Sequence, residues 1–392
     1  MQKLLFFITI LSTLNSYTQS PSKLHRKAIL VDTHNDVLSS QVLEGKDINQ
    51  RLSDSHSDLY RWEKGGVDVQ FFSVWTDKVP RNKEGFYKDA LEEIDSLQRI
   101  ILRNPSRMTY AENYREVKRR SHQNKLVALI GVEGGHMIED DMSKLDALYE
   151  KGMRYLTLTW NNSTSWATSA MDETFNADKL NHKGLTDFGK QVVKRLNELG
   201  VIVDLSHVGE QTFYDAIAIT SKPVILSHSS VWSICPVFRN VKDDQIKAVA
   251  KNGGVVCINF YSGFISNEYN QQSVNIGVTK KKVFQDSLYN LSIDSVKVTT
   301  AWEKYYNDEL QKFRPALSQM VDHIDYIVKL VGDEYVGIGS DYDGVNSVPI
   351  GLEDVSTYPK ITEELLKRGY SSNSIKKILG GNVLRVMKVN FK

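Results

Sequence analysis

Cysteine is almost missing from this chain: Cys235 and Cys257 are its only two among 392 residues. A disulfide-built scaffold is therefore excluded, whatever the redox compartment. Both cysteines fall near the ends of neighbouring predicted strands, so they read as two buried thiols, with a single bridge as the alternative. Net charge is equally scant. With Lys+Arg at 49 against Asp+Glu at 48, the balance of +1 gives no electrostatic ground for nucleic acid or an anionic membrane as partner. A small-molecule partner is expected instead. The short basic clusters Lys118-Arg119-Arg120 and Lys280-Lys281-Lys282 read as solvated surface. Long apolar runs are lacking too, apart from the first segment, Met1-Gln-Lys-Leu-Leu-Phe-Phe-Ile-Thr-Ile-Leu. Its single basic residue and short apolar stretch, fading into polar residues, have the order of a secretory signal peptide over 1–20. The stretch is too short for a stable membrane-spanning helix. No cysteine follows it to accept a lipid, and the C-terminus has no hydrophobic tail, so no lipid anchor is expected. The expectation is an exported protein, periplasmic or secreted, with one domain over 21–392.

What the chain does contain is an ordinary globular composition, 41% hydrophobic and 25% charged, enough for one large core. Eight apolar, β-branched runs recur along it, at 28–36, 67–75, 126–133, 154–160, 201–207, 223–228, 254–260 and 335–341. Between them lie amphipathic patterns, including 87–102, 142–149, 245–250 and 316–330. A further one covers 186–199, with Thr186 as N-cap, Phe188, Val192, Leu196 and Leu199 on one stripe, and Gly200 just past its end. Near-continuous apolar strands alternating with helices predict parallel strands covered on both faces. Eight repeats predict an α/β protein of the (β/α)8 TIM-barrel type. The stretch 264–313 is longer and more polar than a barrel loop needs. It reads as a partly helical insertion after strand seven that covers the site.

The polar residues fall where a barrel keeps its chemistry. Strand one runs into Asp32-Thr33-His34-Asn35-Asp36, and side chains two apart in a strand share a face. Strand three ends on Glu133, strand five on His207, strand six on His228 and strand eight on Asp341 and Asp343. Any one of these could be a satisfied core residue. Four strands delivering His, Asp, Glu, His and His to one C-terminal rim match the count for two zinc ions sharing a carboxylate.

These residues sit in motifs that resemble the membrane dipeptidases, the renal dipeptidase family of zinc metallopeptidases. The resemblance runs from about residue 29 to 386. It includes the Asp-x-His-x-Asp opening, His56-Ser-Asp-Leu with Gly65-Gly66-Val67, Gly131-Val-Glu-Gly-Gly-His136 and Asp204-Leu-Ser-His207. It continues through Ser227-His-Ser-Ser230, Arg239-Asn240, Gly339-Ser-Asp-Tyr-Asp-Gly344 and Gly380-Gly-Asn382. The resemblance implies a (β/α)8 barrel with a binuclear zinc centre that hydrolyses dipeptides, often as a homodimer. By matching motif, His34 and Asp36 would hold one zinc, His207 and His228 the other, and Glu133 would bridge both, with a bridging hydroxide as nucleophile. Asp341 would handle protons and meet the substrate's amine, and Arg239 would grip its C-terminal carboxylate. The chain departs from the family at the end of strand four, where better-known members read Leu-Thr-His and this one reads Leu158-Thr-Trp160. Trp160 is expected to bind substrate in place of that His and, by its bulk, to favour small side chains. Asn259 and Tyr261 are expected along the pocket, His56 and His136 in supporting roles, and His323 on an outer helix. His25, His122 and His182 are expected at the surface. Two alternatives stay open: another binuclear-metal hydrolase, acting on a lactam, an acylated amino acid or a phosphoester, and a catalytically weakened binding relative.

Overall fold

The computed structural model describes residues 20–289 and 294–391. The apolar N-terminal segment lies outside the described residues. Nine strands form one sheet: β1 (Val31–Asp32), β2 (Val69–Trp75), β3 (Met108–Tyr110), β4 (Leu126–Glu133), β5 (Met153–Thr157), β6 (Ile202–Asp204), β7 (Ile225–Leu226), β8 (Val255–Ile258) and β9 (Val336–Ile338). All pair in parallel. β2 joins β4 directly, from Val69 opposite Val127 to Trp75 opposite Glu133, and β9 returns to β1 through Ile338 and Asp32, so eight strands close a barrel. β3 was not expected from the sequence. It lies beside only the first half of β4, Met108 opposite Leu126, where β5 has not yet joined. Three residues are too few for an alternation to register as a periodic signal.

Alternation along the strands divides the core into two. Val69, Phe71, Val127, Leu129, Tyr155 and Ile202 fill the barrel interior with Val255 and Cys257. Phe72, Val74, Ala128 and Ile130 face the surrounding helices. The C-terminal helix Asn382–Asn390 sends Val383, Val386 and Met387 into the interior cluster. The helix Asp187–Leu199 begins and ends as expected: the Thr186 hydroxyl accepts from the Gly189 N–H, and Gly200 takes a left-handed conformation at φ 85°.

The insertion after the seventh barrel strand holds two long helices, Asn267–Tyr289 and Ser295–Leu310. They close over a small cluster of their own, Tyr269, Ile276, Trp302 and Leu310, with Phe284 stacked on Tyr305 at 4.7 Å. This corrects the expectation that the insertion covers the site. Among the described residues, Phe264 at its base reaches the active cavity and neither long helix does. Cys235 and Cys257 are both free and buried, which settles that pair as thiols. No helix among the described residues is long and apolar enough to cross a membrane.

Candidate metal centre

Every expected ligand arrives at one end of the barrel. His34 and Asp36 follow β1, Glu133 ends β4, His207 follows β6 and His228 follows β7. Glu133 lies at their centre and divides them into two sets. Its Oε2 is 3.3 Å from His34 Nε2, which is itself 3.3 Å from Asp36 Oδ2. Its Oε1 is 2.9 Å from His207 Nε2 and 3.3 Å from His228 Nε2. Ligands about 2.0–2.1 Å from a tetrahedral metal stand roughly 3.3 Å from one another, so this spacing is that of a metal's coordination sphere.

Hydrogen bonding on the far side of each ring fixes what faces inward. His207 Nδ1–H donates to Asn161 Oδ1 at 3.0 Å. The Ser227 hydroxyl spends its proton on Asp204 Oδ2 at 2.6 Å, so the His228 Nδ1 at 2.8 Å must donate to it. His34 Nδ1 lies 2.8 Å from the phenol oxygen of Tyr155. Both His207 and His228 therefore turn an Nε2 lone pair on a carboxylate and on each other, 2.9 Å apart. Burial keeps them uncharged: it pulls His207 down to about 3, helped by the Arg239 charge, and holds His228 well below its ordinary value. His34 Nε2 and Asp36 Oδ1 are buried with no hydrogen-bond partner. Lone pairs and carboxylate oxygens packed this closely repel unless a cation lies among them. A mixed nitrogen and oxygen set of this kind suits a first-row dication such as zinc.

Asp32, spaced like a ligand in the sequence, is not one. Its carboxylate accepts from the Ser340 N–H at 2.9 Å, the Ser340 hydroxyl at 2.7 Å and the Tyr358 hydroxyl at 2.5 Å, stitching β1 to β9. β1 ends at Asp32, so the strand alternation that put three side chains on one face stops there. Asp341 comes within ligand distance of His34 and Asp36. Its Oδ2 accepts from Asn259 Nδ2 at 2.7 Å, and burial, with the neighbouring Asp36 charge, raises its carboxyl well above the usual range. His207, Asp341 and Asp343 all hold positive φ, at 66°, 63° and 67°. Non-glycine residues so placed cost of order 1–3 kcal/mol each, strain that concentrates at functional sites. Gly344 permits the crowding, since a Cβ there would stand 2.2 Å from Asp36 Oδ2.

Arg239 is buried with little to bind. Its Nη2 donates a long 3.4 Å bond to the His228 carbonyl, its Nε has no partner, and its guanidinium lies 5.4 Å over the Phe264 ring. Burial pulls it down to about 10, still cationic at neutral pH. A buried, unpaired guanidinium facing a cavity is an anion site. That cavity, about 550 Å³, is lined by Asp36, Glu133, His207, Arg239 and Asp341, with Trp160 and Tyr261 in its walls. Trp160 packs edge-on against Trp75 at 5.1 Å and so leaves this volume open. The expected preference for small side chains rested on the bulk of Trp160 alone.

Four of the remaining histidines are structural. His136 Nε2 reaches the Thr76 carbonyl at 3.2 Å and meets the Phe86 ring edge-on. His56 Nδ1 accepts from the Asp343 N–H at 3.0 Å. His323, on the helix Leu317–Val331, is buried between the Val231 N–H and the Ile265 carbonyl. His25, expected at the surface, is buried between the Gly65 carbonyl and Thr362, both at 2.8 Å, because the short helix Pro21–Lys27 packs inward. Sequence reasoning gave no role to Tyr155, Asn161 or Asp204. Gly131 carried the one signal for Tyr155: a Cβ there would lie 1.9 Å from its ring.

Comparison with known proteins agrees with this geometry. A family model described as membrane dipeptidase, peptidase family M19, matches residues 18–390. The fold is similar to that of the probable dipeptidase PvdM from Pseudomonas aeruginosa, at a TM-score of 0.78 and 23% identity over 94% of this chain and 97% of that one. It is also similar to a metallopeptidase described as dipeptidase AC, with a TM-score of 0.72, 21% identity, and coverage of 93% and 99%. A metallopeptidase from Rhodobacter sphaeroides, solved with a phosphinate mimic of the dipeptide L-Ala-D-Ala, aligns at a TM-score of 0.71 and 20% identity over 93% and 99%. A closed parallel barrel, a rim of histidines and carboxylates built for metal, and a family match over nearly the whole chain place this protein in the membrane dipeptidase family, peptidase family M19, as a metallo-dipeptidase.

Proposed function

We propose that the centre holds two zinc ions, one by His34 and Asp36, the other by His207 and His228, with Glu133 shared, and that it hydrolyses free dipeptides. The observation carrying this reading is the division of Glu133, each of whose oxygens faces a separate ligand set. Two dications at such a site acidify the attacking water and polarise the scissile carbonyl. Arg239 anchors the substrate's C-terminal carboxylate, for which its forked donors are suited. Asp341, steered by Asn259, meets the free amine and carries protons to and from the reacting nitrogen. The dipeptide mimic bound by the Rhodobacter sphaeroides metallopeptidase supports a substrate of this size. An anion site and an amine site at fixed separation leave a longer or capped peptide with an unpaired buried charge.

The test combines elemental analysis with turnover of a dipeptide, its C-terminal amide and a tripeptide. Two zinc ions per chain and hydrolysis confined to the free dipeptide are expected. Arg239→Ala should raise KM and lower kcat/KM on the order of 100-fold for the free dipeptide, and Glu133→Ala should abolish turnover and scramble the metal. Equal rates on the dipeptide and its amide would refute the carboxylate clamp, and one tightly held metal in fully active enzyme would refute the binuclear reading.

A further inference from the structure

We propose that Trp75 and Trp160 form an aromatic subsite that receives a large apolar or aromatic side chain of the dipeptide. This rests on the dipeptidase reading and adds a preference to it. The two indoles follow from the ends of β2 and β5, meet edge to face with centroids 5.1 Å apart at 64°, and both line the cavity. On the rim they flank Glu133 of β4, across the barrel mouth from Arg239 after β7 and Asp341 after β9. The other aromatic walls have partners of their own. Phe264 lies under the Arg239 guanidinium and packs edge-on against Tyr261 at 4.9 Å, and Phe238 meets Phe175 at 5.3 Å.

With a dipeptide's ends held at Arg239 and Asp341, a side chain directed away from both meets the indole pair. Trp160 also stands 6.3 Å from the His207 ring, which places the subsite beside the scissile bond. Both indoles are only partly buried, so a planar ring seated against them removes apolar surface on both partners and completes an edge-and-face aromatic cluster. The open 550 Å³ falls within the roughly 300–1,000 Å³ of small-ligand pockets and accommodates such a ring. The walls carry no charge, and their one buried unpartnered donor is the Trp75 Nε1–H, so the subsite selects by shape and apolar contact with at most one hydrogen bond to that N–H. Burial of a phenyl group should be worth on the order of 10- to 100-fold in kcat/KM over a methyl.

The experiment measures kcat/KM of the zinc-loaded enzyme for Ala-Ala, Phe-Ala and Ala-Phe. In parallel, intrinsic tryptophan fluorescence follows binding of phosphinate dipeptide mimics bearing methyl or benzyl side chains. Expected are a preference of at least about tenfold for phenylalanine at one position and tighter binding of the matching benzyl mimic. Trp75→Leu and Trp160→Leu should each reduce that preference at least threefold, acting mainly through KM of the phenylalanine substrate. Ala-Ala hydrolysed as well as the phenylalanine dipeptides, or a preference surviving in both variants, would overturn the subsite alone. Turnover of no dipeptide at all would overturn the dipeptidase reading and the subsite with it.

Discussion

The residues that hold the ligands matter here as much as the ligands. Tyr155, inside β5, reaches across the barrel to His34 Nδ1 at 2.8 Å, and burial keeps its phenol protonated far above neutral pH. Partners of this kind orient a ligating imidazole and are worth about 10- to 100-fold in metal affinity. Tyr155→Phe should therefore fold normally yet lose zinc to a competing chelator about 10–100 times more readily, and a competition titration against a zinc indicator checks it. An unchanged zinc affinity would show that the bond does no orienting. His34, Asp36, Glu133, His207 and His228 were legible in the sequence because each lies at a strand end in a recognisable motif. Tyr155 was not, because an interior strand tyrosine gives no sign of which distant ring it faces. Asp32 shares the spacing of a ligand but was not assigned as one, and the neighbouring Ser340 and Tyr358 show its carboxylate to be used up.

Among the elements, β1 and β2 are joined at their start by Asp68, whose Oδ2 accepts from the Leu30 N–H at 2.8 Å while its own N–H donates to the Leu30 carbonyl. Burial raises the Asp68 carboxyl from 3.8 to about 7. Folding then takes up a proton between those values, so this residue's contribution is fullest below pH 4 and is lost as pH rises towards 7. Asp68→Asn keeps an oxygen acceptor for Leu30 but cannot ionise. It should flatten the fall in Tm between pH 4 and 7 relative to the parent, as scanning calorimetry at several pH values would show. Strand and helix order was readable from apolar periodicity, including the Thr186 and Gly200 caps. The extra strand β3 was not, since Met108–Tyr110 pairs only because the first half of β4 has an open edge.

At the scale of the molecule, the metal centre is a store of folding free energy. Lone pairs and carboxylates held together at the barrel mouth repel without cations, so bound metal favours the folded chain by mass action, about 2.7 kcal/mol at a hundredfold excess over Kd. Chelation should lower Tm by several degrees and restored zinc should recover it, read by thermal melts with and without chelator. Export of the chain is a matter for mass spectrometry of native protein: a mature terminus near residue 20 is expected, and an intact Met1 would contradict it. By itself the sequence determined the barrel, the rim to which His34, Asp36, Glu133, His207 and His228 come, and the kind of chemistry. Those follow from local periodicity and from residue types placed at strand ends. Only the tertiary structure decided which oxygen of Glu133 faces which set, that Arg239 is buried without an ion pair, and that Trp160 leans on Trp75 in the cavity wall. Each depends on distances between segments far apart in the chain, which barrel closure sets and no local pattern encodes.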